Sequence, residues 1–178
     1  MATDVIEPTE TITVVNKSTA TNIQKYENYR EQFIRLKKAL DSKFFLEAIF
    51  IEYTIIEDRT ESILCHAGKW DAYLKKRGRY QVTLDSKITY IQDFAREKKS
   101  LAHRYFSDSL LDEIMTWKEE RNRLIHALLK QALTTEEIST FALDGERLTK
   151  EIRTRATNFS RAIERKNNTK KENPNEQH

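Results

Sequence analysis

Tyr26–Leu40, YENYREQFIRLKKAL, decides the fold class. Tyr26, Tyr29, Phe33, Leu36 and Leu40 recur at intervals of three and four, the spacing that puts side chains on one face of an α-helix, with charged residues filling the other faces. The next stretch repeats the pattern: Phe45, Ile49, Tyr53, Ile56 and Ile63 line one face, with Glu52, Glu57, Asp58 and Glu61 around it. Three more stretches follow. One begins after Asp85 (Ile88, Ile91, Phe94, Leu101, Tyr105), and Lys98 predicts a break near Ser100. One runs from about Ser107 to Ala132 (Leu111, Ile114, Ile125, Leu128). The last carries Ile138, Phe141, Leu148, Ile152, Ala156, Phe159 and Ile163, where Thr134 and Glu137 have capping-box spacing. The expected architecture is all-α, an antiparallel bundle of about five helices.

Composition agrees with that reading. Three Gly and two Pro in 178 residues leave little of the punctuation that hairpins need. Residues 1–22 read as a frayed or disordered tail, 23–165 as the bundle domain, and 166–178 as a polar tail. No run approaches the roughly 18–20 uncharged apolar residues of a membrane span, and residues 1–10 lack the basic and apolar regions of a signal peptide, so a cytoplasmic location with no membrane partner is expected. Cys65, the single cysteine, is expected as a buried apolar thiol in a reducing compartment.

The net charge of +3 is too small to announce a nucleic-acid binder, but its distribution is uneven. From Lys69 to Arg104 ten Lys and Arg face four Asp and Glu, interleaved with Trp70, Tyr73, Tyr80, Tyr90 and Phe94. Residues 66–83 read as a long basic connection, and Lys75, Lys76, Arg77 and Arg79 are the candidate contacts for RNA phosphates. A solvated face is the plainer reading of the same charges. No Gly-rich phosphate loop, nucleophile elbow or metal-ligand spacing is present in the sequence, so neither a metal nor a cofactor is expected.

The fourth stripe breaks its own rule at Arg121, where the spacing between Ile114 and Ile125 calls for an apolar residue. A guanidinium on a buried stripe needs a carboxylate, a phosphate or an interface to receive it. Glu52 or Glu57, facing it across the bundle, is a candidate either to orient it or to neutralise it. Asn122 and His126 stand one turn apart beside it. Together a cation, an amide and an imidazole suit metal-independent phosphodiester cleavage: the imidazole moves a ribose 2′-hydroxyl proton and the guanidinium stabilises the added charge on phosphate.

Arg121-Asn122-Arg123-Leu124-Ile125-His126 resembles the Arg-x4-6-His signature of the HEPN superfamily, in which a polar residue, often Asn, follows the Arg. The loose form of that signature also matches Arg59 to His66 and Arg96 to His103, without the Asn and with six intervening residues. The resemblance implies an HEPN-like bundle acting as a metal-independent RNA endonuclease, with Arg121, Asn122 and His126 catalytic at a homodimer interface. It further implies an RNA substrate and a toxin or phage-defence role, with an antitoxin protein as a candidate partner. HEPN toxins paired with nucleotidyltransferase antitoxins carry a Tyr two residues after the His; here Leu128 stands there, so control through such a Tyr is not expected. The competing reading is a non-catalytic helical module that binds RNA, a nucleotide or a protein through the same pocket.

Overall fold

The computed structural model describes residues 22–77, 81–128, 130 and 133–172. These residues form seven α-helices and no strand: α1 (Asn22–Asp41), α2 (Phe45–His66), α3 (Trp70–Arg77), α4 (Leu84–Ala95), α5 (Leu101–Phe106), α6 (Leu110–Ala127) and α7 (Thr135–Glu172). The all-helical class is as expected, but the elements differ from a five-helix reading in four places.

Within the expected basic connection 66–83 lies α3, held down by its buried Tyr73, whose hydroxyl shares a 2.6 Å hydrogen bond with that of Ser86. The third stripe is two helices, because residues 96–100 leave the helix and Ser100 then caps α5 by accepting from the His103 amide at 3.0 Å. The fourth starts at Leu110 and ends at Ala127, inside the expected range. Residues 166–172, expected in the polar tail, continue α7, while 173–178 and 1–21 lie outside the described residues. No helix among the described residues is long and apolar enough to cross a membrane.

Local chemistry sets the helix ends. Thr83 and Ser86 form a reciprocal capping box on α4. Thr134 and Glu137 do the same before α7, the Thr134 amide donating to the Glu137 carboxylate at 2.8 Å. Gly68 closes α2 at φ +64°, with the Lys69 amide reaching back to the Leu64 carbonyl at 2.9 Å. Lys43 fills the same left-handed position after α1 at φ +61°, where a side chain is strained.

Helix α2 is the hub. Its most extensive neighbour is α7, and the two run parallel: Glu52 lies against Gly145, and further along both Arg59 and Arg153 approach the Tyr29 ring. This corrects the purely antiparallel expectation. Helix α6 returns antiparallel to α7, with Trp117 stacked on Phe141 (5.3 Å, 2°) and Arg147 paired to Glu113 at 2.8 Å. Helix α4 runs antiparallel to α6 through Lys118–Asp85 (2.6 Å) and Gln92–Asp112 (2.8 Å). The core is continuous from Leu36 and Ile49 through Ile88 and Ile114 to Phe159. Cys65 is exposed, contrary to expectation, because it lies on the outer face of α2.

Candidate functional site

Along α6 the buried positions are Leu110, Leu111, Ile114 and Trp117, and Arg121 continues the row one turn on. Burying a guanidinium there calls for compensation. Part of it comes from α2: the Arg121 Cζ sits 4.7 Å from the centroid of the Tyr53 ring, a cation–π arrangement, and Nη1 donates to the Asn122 side-chain carbonyl at 3.2 Å. The Nε is buried with no acceptor, and Arg121 forms no ion pair with any described residue.

The two carboxylates that could have neutralised it are engaged otherwise. Glu57 receives the buried Lys87 ammonium at 3.4 Å, and Lys87 also reaches Glu61 at 3.5 Å. Glu52 is fully buried beneath Gly145, so close that a Cβ on Gly145 would lie 2.2 Å from Oε2 and 2.7 Å from Trp117. Neither Glu52 oxygen has a hydrogen-bond partner among the described residues. Burial, reinforced by the charges of Glu146 and Asp144, pushes its carboxyl up to about 9, so at neutral pH it is an uncharged acid and no counter-ion. Lys118 is paired with Asp85. The Tyr53 hydroxyl is raised by burial first and then by Glu57, with Arg121 and Lys118 opposing. Around Tyr53, then, Glu57, Asp85 and Lys118 are paired, and the guanidinium of Arg121 is left over.

The structure brings Arg121 and Asn122 together, but His126 stands apart. It is exposed in the last turn of α6 and makes no hydrogen bond or ion pair with the described residues. Arg121 and His126 are five residues apart, about 140° around the helix, whereas Asn122 and His126 share a side. The two looser Arg–His matches are taken up structurally. Arg59 covers Tyr29 and pairs with Asp58, and His66 Nδ1 faces the Ser62 carbonyl at 2.8 Å. Arg96 pairs with Asp93 at 3.4 Å, and His103 donates to the Ala95 carbonyl at 2.9 Å.

Lys75, Lys76 and Arg77 form the last turn of α3 rather than a loop. Lys75 and Lys76 are exposed, with the Lys76 ammonium 5.6 Å from the Tyr90 ring centroid, and Arg77 has a buried Nε without an acceptor among the described residues. Arg79 lies outside the described residues. Trp117 is a core residue, and Trp70 stacks on Tyr73 at 5.4 Å. Among the described residues no group of three His, Cys, Asp or Glu could hold a metal ion.

Sequence reading missed the apolar surroundings. Helix α4 begins at Leu84 and meets α6 at Lys118 and α2 at Glu57, so it covers neither the first half of α2 nor the last turns of α6. Leu46 and Phe50 on α2, on the side that carries Tyr53, are therefore exposed, Phe50 to 63%. So is Ile125, one turn beyond Arg121. Their spacing relative to Tyr53 and Arg121 was available in the sequence, but the short reach of α4 was not. Comparison of the chain with protein-family models, with curated proteins and with solved structures yields no match.

Proposed function

We propose that the chain is a metal-independent RNA endonuclease of toxin or phage-defence type that acts as a homodimer, with Arg121, Asn122 and His126 of each protomer at the shared site. The observation that carries this reading is the Arg121 guanidinium: held on Tyr53, steadied by Asn122 and lacking a carboxylate, it is preset to receive an anion. In the proposed reaction His126 takes the proton of a ribose 2′-hydroxyl, the 2′-oxygen attacks the adjacent phosphorus, and the bond to the 5′-oxygen breaks. The departing oxygen is protonated by the partner's His126, and Arg121 stabilises the charge that builds on the phosphate oxygens. The products are a 2′,3′-cyclic phosphate and a 5′-hydroxyl.

A second copy supplies what one chain does not, since His126 does not meet Arg121 within the protomer. The exposed Leu46, Phe50 and Ile125 beside Arg121 support a dimer face there. The same separation favours the second reading, a non-catalytic module that holds RNA, a nucleotide or a partner protein through Arg121. Incubation of single-stranded RNA in EDTA separates them. The nuclease leaves cyclic-phosphate ends and spares 2′-O-methylated RNA, while the binding module leaves both strands intact.

A further inference from the structure

On the opposite side of α2 from Arg121, helices α1 and α7 carry a second cationic feature. Lys150, Arg153, Thr154, Thr157, Asn158 and Arg161 line a shallow groove on α7. Their spacings of three and four put them on one helical face, and none is acidic. Over the eleven residue steps from Lys150 to Arg161 the face extends about 16 Å, enough for a few nucleotides.

The cations are not equivalent. Lys150 pairs with Glu146 at 2.7 Å. Arg153 has no carboxylate partner among the described residues; its guanidinium lies 4.4 Å from the Phe33 ring centroid and 6.0 Å from that of Tyr29. Arg161 forms no ion pair with any described residue, and Glu164 one turn on accepts from Ser160 at 3.4 Å instead. On α1, Phe33 and Tyr29 belong to a row that continues to Tyr26, which is 68% exposed. Because α1 runs antiparallel to α7, that row advances toward Arg161.

We infer that this groove is a binding track for single-stranded RNA, in which Arg153 and Arg161 take successive phosphates, Asn158 donates a hydrogen bond, and Tyr26 stacks on a base. Unpaired arginines beside an exposed ring match the two surfaces of a single strand, an anionic backbone and flat bases. An acidic peptide would satisfy the cations but leave Tyr26 without a role. The track stands independently of the cleavage reading.

The test uses the full chain and a fluorescent 2′-O-methyl oligouridine, which cannot be cut, with binding followed by anisotropy across a salt series. Arg153→Met with Arg161→Gln weakens binding roughly tenfold. It also flattens the plot of log affinity against log salt by roughly 1.4, two phosphate contacts at about 0.7 each. Methionine keeps the packing over Phe33, and Arg161→Gln alone reads a change of roughly 0.7 should the double variant unfold. Tyr26→Ala weakens binding and Tyr26→Trp restores it. The inference is overturned if the slope is unchanged in both arginine variants, if only Lys75→Gln with Lys76→Gln changes it, or if the protein binds anionic lipid vesicles and not the oligonucleotide. Cleavage of unmodified RNA by the groove variants at saturating substrate separates failure of the track from failure of the active site.

Discussion

The guanidinium of Arg121 lies on the face of Tyr53, 4.7 Å from the ring centroid, with its Nε buried and unsatisfied. An aromatic face and the Asn122 amide hold it, with no carboxylate among the described residues.

Arg121→Leu is expected to leave the fold within about 1 kcal/mol of wild type or to stabilise it, because a half-buried guanidinium with an unsatisfied Nε is removed and only a cation–π contact of about that size is lost. Cleavage is expected to fall on the order of a hundredfold or more, as when one charge-stabilising donor is deleted, and Arg121→Lys is expected to rescue little. Thermal melts and single-turnover rates give both quantities. Destabilisation well beyond about 2 kcal/mol would make Arg121 a structural residue.

Glu52 makes stability depend on pH. In the unfolded chain its carboxyl ionises near 4.5, and in the fold near 9. The folded state therefore holds one more proton between those values, and stability declines as pH rises through that window, at up to about 1.4 kcal/mol per pH unit. Glu52→Gln is expected to flatten that decline and to be the more stable protein at pH 8, as read from urea titrations at several pH values. A wild-type stability that rises between pH 5 and 8 would show Glu52 ionised.

Gly145 and Glu52 are coupled through close approach. Gly145→Ala puts a methyl 2.2 Å from the Glu52 carboxyl group and 2.7 Å from Trp117, so it is expected to destabilise by several kcal/mol, as overpacking does. In a Glu52→Ala background the same change is expected to be markedly less harmful. Additive effects in the double-mutant cycle would place the clash elsewhere.

Much of this was legible in the sequence. The stripes of α1, α2 and α7 fixed those helices, and the cap at Thr134 fixed where α7 begins. Helix α3 was hidden because half of its eight residues are charged and only Tyr73 is buried. Residues 96–100, all polar, blurred the junction of α4 and α5. Arg121 stood out because it interrupts a stripe, but Tyr53 could not be assigned to it, since pairing across helices depends on register. The parallel course of α2 and α7 has the same cause: each helix announces its apolar face, not its direction beside another. Glu52 read as a carboxylate facing Arg121 because the room that takes it as a buried acid is made by Gly145, ninety-three residues away.

The dimer face is tested by Phe50→Asp. A charge among Leu46, Phe50 and Ile125 is expected to convert a two-fold dimer to a folded monomer in sedimentation at micromolar concentration, with cleavage lost in parallel. Wild-type protein that sediments as a monomer removes the shared site.

His126 is probed most directly by the single-turnover rate of RNA cleavage in EDTA by wild type and by His126→Ala. The imidazole is exposed and makes no hydrogen bond or ion pair with the described residues, so the substitution is expected to leave the fold intact. A loss on the order of a hundredfold or more is expected, the scale of general acid–base catalysis, with 2′,3′-cyclic phosphate as the wild-type product. A His126→Ala protein that cuts at the wild-type rate, or wild-type protein that binds RNA without cutting it, would contradict the account and leave the binding module in its place.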